Sequence, residues 1–104
     1  MSVPNKAHTA TVRRVAERYR ASINTEESPD ISSGDLTVEV ETSATISRGI
    51  KALAEVAGPV FVAVTNREAL DEALRKAART RVGVMDPQGV IVKQSDPPLD
   101  GEFS

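Results

Sequence analysis

The sequence predicts an α/β domain with a central mixed sheet flanked by helices, in the order αβββαβαβ. Three observations carry this expectation. Within residues 36–42 apolar and polar side chains alternate from Leu36 to Glu41, and residues 60–64 form a continuous apolar run rich in valine. The segments between and beyond them place apolar residues at helical spacing, so strands and helices alternate along the chain.

Taken in order, the first helix spans about His8 to Ala21. Val12, Val15, Ala16, Tyr19 and then Ile23 make one apolar stripe, and Arg13, Arg14, Glu17, Arg18 and Arg20 occupy the remaining surface. Residues 22–35 are polar and acidic and contain the turn signal Ser32-Ser33-Gly34-Asp35. The strand Leu36–Thr42 then points Leu36, Val38 and Val40 to one face and Thr37, Glu39 and Glu41 to the other. Ser43 to Ala57 reads as a helix with Ile46, Ile50, Leu53 and Ala57 on one side, ended by Gly58-Pro59. Val60–Val64 suits a strand buried on both faces. Asn66 caps a third helix, Arg67 to about Thr80, with Leu70, Ala73, Leu74 and Ala77 inward. Val82–Met85 and Val90–Lys93 flank Asp86-Pro87-Gln88-Gly89. Proline second and glycine fourth make a type I turn, hence a hairpin.

At 104 residues the chain holds one core. Residues 1–94 are expected to form a single domain, with residues 95–104 as a disordered acidic tail. No apolar run approaches the roughly 20 residues of a membrane span. The first residues lack the apolar stretch of a signal peptide, so a cytoplasmic protein is expected. The chain has no cysteine and a single histidine. This excludes disulfides, thiolate metal sites and multi-histidine zinc sites. With three aromatic residues, a platform for stacking several bases is not expected. Charge is segregated: residues 1–21 carry a net charge of +4, whereas residues 22–42 carry six acidic residues and no lysine or arginine. A basic helix beside an acidic patch suits a polyanion bound through metal ions; it equally suits a solvated surface of mixed sign.

The pattern with chemical content is Asp30, then Glu39 and Glu41. Period two sets Glu39 and Glu41 on one strand face. If Pro29-Asp30-Ile31 runs antiparallel to that strand, the intervening turn folds Asp30 back beside Glu39. Carboxylates so gathered offer the oxygen ligands that Mg²⁺ or Mn²⁺ prefer. Without a cation they repel, and at least one carboxyl pKa rises. The simpler account is a turn followed by a strand whose polar face protects a sheet edge.

Pro29-Asp30 followed by Glu39-Val40-Glu41, between a first helix bearing Glu17 and a helix over 46–57, resembles the PD-(D/E)xK nuclease superfamily, and within it the archaeal Holliday-junction resolvases. The likeness covers roughly residues 8–93. It implies a restriction-endonuclease-like fold and a metal-dependent endonuclease that hydrolyses phosphodiester bonds of branched or duplex DNA as a homodimer. By the same resemblance Asp30 and Glu39 bind Mg²⁺ or Mn²⁺, the Val40 carbonyl completes the coordination, and Glu17 adds a further ligand. The family usually places lysine where this chain has Glu41, which would then orient or deprotonate the attacking water. Glu17 stands away from the Val12–Val15–Tyr19 stripe.

Arg13, Arg14, Arg48 and Lys51 are the candidate phosphate contacts. Arg75, Lys76, Arg79 and Arg81 are read as cations favouring the end of the third helix. His8 has no partner recognisable in the sequence and is expected to be a surface residue. The alternative function is a catalytically inactive module of the same fold that binds nucleic acid or a protein, motivated by the Lys-to-Glu departure and the near-neutral net charge.

Overall fold

A computed structural model describes residues 6–25 and 29–96. The elements are α1 (Lys6–Tyr19), β1 (Ser22–Ile23), β2 (Ile31–Ser32), β3 (Thr37–Glu41), α2 (Ile46–Leu53), β4 (Val60–Val64), α3 (Arg67–Ala77), β5 (Gly83–Met85) and β6 (Ile91–Lys93). They build one six-stranded sheet in the order β1-β2-β3-β4-β5-β6. The first three strands form an antiparallel meander, β3, β4 and β5 run parallel, and β6 returns antiparallel. The expected α/β architecture with a mixed sheet is therefore present. Among the described residues no helix is long and apolar enough to cross a membrane.

The sheet is covered on both faces, which is why its central strand is apolar throughout. Every residue of β4 is buried. On one face Val60, Val62, Val64, Val82 and Val84 pack with Ile46, Ile50 and Leu53 of α2 and Ala69, Ala73 and Ala77 of α3. On the other, Ile31, Val38, Val40, Phe61, Ala63 and Met85 pack against Val12, Val15 and Ala16 of α1. Alternation along β3 and β4 thus sorts side chains between two separate clusters.

Several boundaries differ from the sequence expectations for identifiable reasons. The segment 22–35 supplies the two strands that the expected order places before β3, and they pair with Ser22 opposite Ser32. Ile23 therefore belongs to an edge strand, 44 % exposed, not to the helix stripe. α1 stops at Tyr19 because Arg20 adopts a left-handed conformation, φ 53°. The Ala21 N–H then reaches the Ala16 carbonyl at 2.9 Å, the closing bond of a Schellman motif. α2 ends at Leu53, and Ala57 is exposed beyond it. Arg81, expected as a helix-end cation, instead donates to the carbonyls of Leu53, Val56 and Gly58 at 3.3, 2.8 and 2.5 Å, and so holds the end of α2. Asn66 caps α3 as expected, its side chain accepting from the Ala69 N–H at 2.8 Å. The β5–β6 turn also forms as expected, and Gly89 at φ 84° permits the glycine bulge that closes it.

Two residues of the expected tail, Ser95 and Asp96, are among the described residues. The Ser95 hydroxyl accepts from the Val60 N–H at 3.0 Å and donates to the Arg81 carbonyl at 3.1 Å. The remainder of the expected tail, 97–104, lies outside the described residues.

Candidate functional site

The site forms where the β2–β3 ladder ends. Ser33 N–H donates to the Leu36 carbonyl at 2.9 Å and closes a tight turn through Gly34 and Asp35. That turn sets Ser32 opposite Thr37 and Ile31 opposite Val38. One residue further back, Asp30 comes level with Glu39. Val38 and Val40 face α1, so alternation sends Glu39 and Glu41 to the opposite face, while Asp30, just before β2, turns its carboxylate along the ladder to the Val40 N–H and His8. The parallel register with β4, Glu39 beside Val62 and Glu41 beside Val64, puts both glutamates on the α2 side.

Proline shapes the rest. Continued by two residues, the ladder would bring Pro29 opposite Val40. Proline has no N–H, so it has nothing to donate to the Val40 carbonyl. The Val40 N–H is taken instead by the Asp30 carboxylate, Oδ2 accepting at 2.8 Å. The amide and carbonyl of one strand residue point the same way across a ladder. The Val40 carbonyl is therefore directed toward Asp30. Pro29 instead turns its own carbonyl to Asn24 Nδ2 at 2.8 Å.

His8, in the first turn of α1, approaches from the other side, its Nε2 3.4 Å from Asp30 Oδ2. These groups open into a pocket of about 340 Å³ lined by Asp30, Glu39, Val40 and Glu41, by His8, and by Thr45, Arg48 and Gly49 on the α2 side. Glu39 is buried, 6 % exposed. Glu41 lies against α2 so closely that a Cβ at position 49 would fall 2.5 Å from its Oε2. Glycine at 49 is what lets the helix and the carboxylate share that space. The Glu41 carboxyl is pushed above its ordinary range, chiefly by burial and further by the charge of Asp30; a hydrogen bond with Thr45 and the charges of Arg48 and His8 oppose the rise. The carboxylate with a raised pKa expected from the sequence is thus Glu41, with burial as the larger cause and repulsion the smaller.

The remaining sequence candidates divide. Arg48 lines the pocket. Arg13 lines a second, adjoining groove. Lys51, one turn along α2, is exposed and does not line either cavity. Arg14 donates to the Pro87 carbonyl at 2.6 Å, and Tyr19 to that of Gly89 at 2.5 Å; these contacts seat the C-terminal half of α1 on the β5–β6 turn. Glu17 belongs to that end of α1. It is exposed, and nine residues of helix, about 13 Å of rise, separate it from His8. The expectation that Glu17 joins the metal site is therefore corrected: the α1 residue at the pocket is His8. The expectation that His8 is a bystander is corrected with it. Its partner, Asp30, is 22 positions away in the chain, and neither periodicity nor spacing links the two.

Among the described residues no three carboxylate or imidazole groups are gathered into a ready metal cage. A small hard cation needs less: Mg²⁺ is commonly held by one or two carboxylates and keeps several waters. Asp30, Glu39 and the Val40 carbonyl are oxygen donors of the type such an ion takes, and all three residues line the pocket. Comparison of the chain with known proteins returns no matching family model, no similar curated protein and no similar solved structure.

Proposed function

We propose that the protein is a divalent-metal-dependent phosphodiesterase acting on DNA, with a restriction-endonuclease-like arrangement of its sheet. The observation that carries this reading is the convergence of Asp30 with Glu39, Val40 and Glu41 in one pocket. The resemblance calls for helix, three strands, helix and strand, and an order of that kind supports the reading here.

Asp30 and Glu39 would hold Mg²⁺ or Mn²⁺, with the Val40 carbonyl as a further donor. A cation bound there supplies Lewis acidity toward a phosphoryl oxygen and a water of lowered pKa. Glu41 stands at the position of the family's lysine. Burial raises its proton affinity, and once ionised such a carboxylate takes a proton from water more readily than an ordinary solvated one does. Arg48, on the rim, offsets phosphate charge. The Asp30–Val40 hydrogen bond fixes the carboxylate against the strand, so less side-chain freedom is lost on ligand binding.

The test is a Mn²⁺ titration of ¹⁵N-labelled protein, following paramagnetic broadening. Saturable broadening centred on Asp30, Glu39 and Val40, abolished by Asp30→Ala, is expected. Absence of localised broadening at millimolar Mn²⁺ in the folded wild-type protein would remove the catalytic reading and leave the inactive binding module.

A further inference from the structure

The His8–Asp30 pair is a wall shared by two cavities. One is the pocket above. The other, of about 510 Å³, lies between the start of α1 and β1 and is lined by His8, Thr9, Val12, Arg13, Ile23, Asn24, Thr25 and Asp30. Arg48 stands in the first cavity and Arg13 in the second. Each cavity thus carries one arginine, the two share Asp30, and Glu39 and Glu41 line the first alone.

The second groove combines three chemistries. Arg13 is an exposed guanidinium. Ile23 contributes an apolar surface that is 44 % exposed. Asn24 has spent its donors inward: its Nδ2 gives hydrogen bonds to the Pro29 carbonyl at 2.8 Å and the Ser32 hydroxyl at 3.2 Å. Its amide oxygen is what remains to accept a bond, and those two bonds hold the amide in place. A cation, an apolar shelf and a fixed acceptor match the phosphate, the base face and the exocyclic amine of a nucleotide. Asp30 between the cavities would repel a polyanion, but its charge already faces His8 and the Val40 N–H.

We infer that the groove between α1 and β1 is a nucleotide subsite, so that one nucleic-acid strand runs from Arg48 across Asp30 to Arg13. This rests on the reading of the pocket as a phosphodiester site, but the subsite needs no metal, and the two can fail separately.

The experiment is a titration of the ¹⁵N-labelled protein with a short single-stranded DNA oligonucleotide in EDTA. Amide shifts at Thr9, Arg13, Ile23, Asn24 and Thr25, together with shifts at Thr45–Gly49, are expected. By fluorescence anisotropy, Arg13→Ala should weaken binding by about three- to tenfold and reduce the salt slope of log K by about 0.7. Arg13→Lys should restore most of that slope, and Asn24→Asp should weaken binding again by adding negative charge. Shifts confined to α2, or an affinity and salt slope unchanged in Arg13→Ala, would overturn the subsite. So would the same shifts on adding inorganic phosphate at equal ionic strength, since the groove would then be a plain anion site. Mn²⁺ broadening at Asp30 without groove shifts would retain the metal site alone; groove shifts without Mn²⁺ broadening would retain the strand-binding groove alone.

Discussion

Gly49→Ala probes the contact on which the pocket's shape depends. Inside an exposed helix this change gains about 1 kcal/mol of propensity. At position 49 the new methyl would lie 2.5 Å from Glu41 Oε2, 2.7 Å from its Cγ and 2.8 Å from its Cδ. Ordinary carbon contacts are about 3.5–4.0 Å, so the whole carboxylate arm has to swing by about 1 Å, not merely its tip. Overpacking of this kind costs about 1–3 kcal/mol. The balance is a protein from unchanged to about 2 kcal/mol less stable, where propensity alone predicts a gain. The displaced Glu41 leaves its buried position, so its pKa falls back toward the ordinary carboxylate value. Urea unfolding together with a carboxyl ¹³C titration reads both effects. Gly34→Ala is the control, because nothing lies within 4 Å of a Cβ there. A full 1 kcal/mol gain in Gly49→Ala with an unchanged Glu41 titration would refute the contact.

Three further outcomes follow from the same geometry. Glu41 has a raised folded-state pKa, so the folded protein holds this proton more tightly than the unfolded chain. Its contribution to stability is therefore full below the ordinary value of 4.5 and is lost as pH rises through the folded value. Glu41→Gln should accordingly raise the melting temperature at neutral pH and leave it unchanged well below pH 4.5; destabilisation at neutral pH would contradict burial as the main cause. Arg81→Ala removes the donor to the Leu53, Val56 and Gly58 carbonyls and should cost about 2–3 kcal/mol in denaturant unfolding, with Arg81→Lys recovering only part because it lacks the fork. Arg20 sits at φ 53°, where glycine is unstrained, so Arg20→Gly should stabilise by about 0.5–1 kcal/mol; a loss would mean that the Arg20 side chain contributes more than its backbone costs.

Much of the sheet was legible because its signals are local. The alternation at 36–41, the apolar run at 60–64 and the Asp-Pro-Gln-Gly turn each specify a conformation from neighbouring residues alone. The bounds and pairing of β1 and β2 were not, because Ser22–Ile23 and Ile31–Ser32 are two-residue strands, too short to show a period. Their structure comes from pairing with β3 and from the Asn24 N–H bond to the Asp30 carbonyl at 2.8 Å. Arg81 and Ser95 were misread for a related reason: their partners are main-chain carbonyls and amides, which carry no sequence signature.

For the candidate site, the sequence by itself determined that Glu39 and Glu41 share a strand face, because the period is two, and that the turn at 32–35 brings Asp30 back beside Glu39 if residues 29–31 run antiparallel. It also determined that position 29 has no N–H to offer. Only the tertiary structure decided which part of α1 meets them. A helix presents several faces and can slide along its own axis without altering its apolar stripe. The docking of Arg14 and Tyr19 on the β5–β6 turn sets that position, bringing His8 to Asp30 and leaving Glu17 in solvent. The closeness of α2 was likewise a tertiary matter: glycine at 49 permits the approach, but packing against β4 is what makes Glu41 half-buried and shifts its proton affinity.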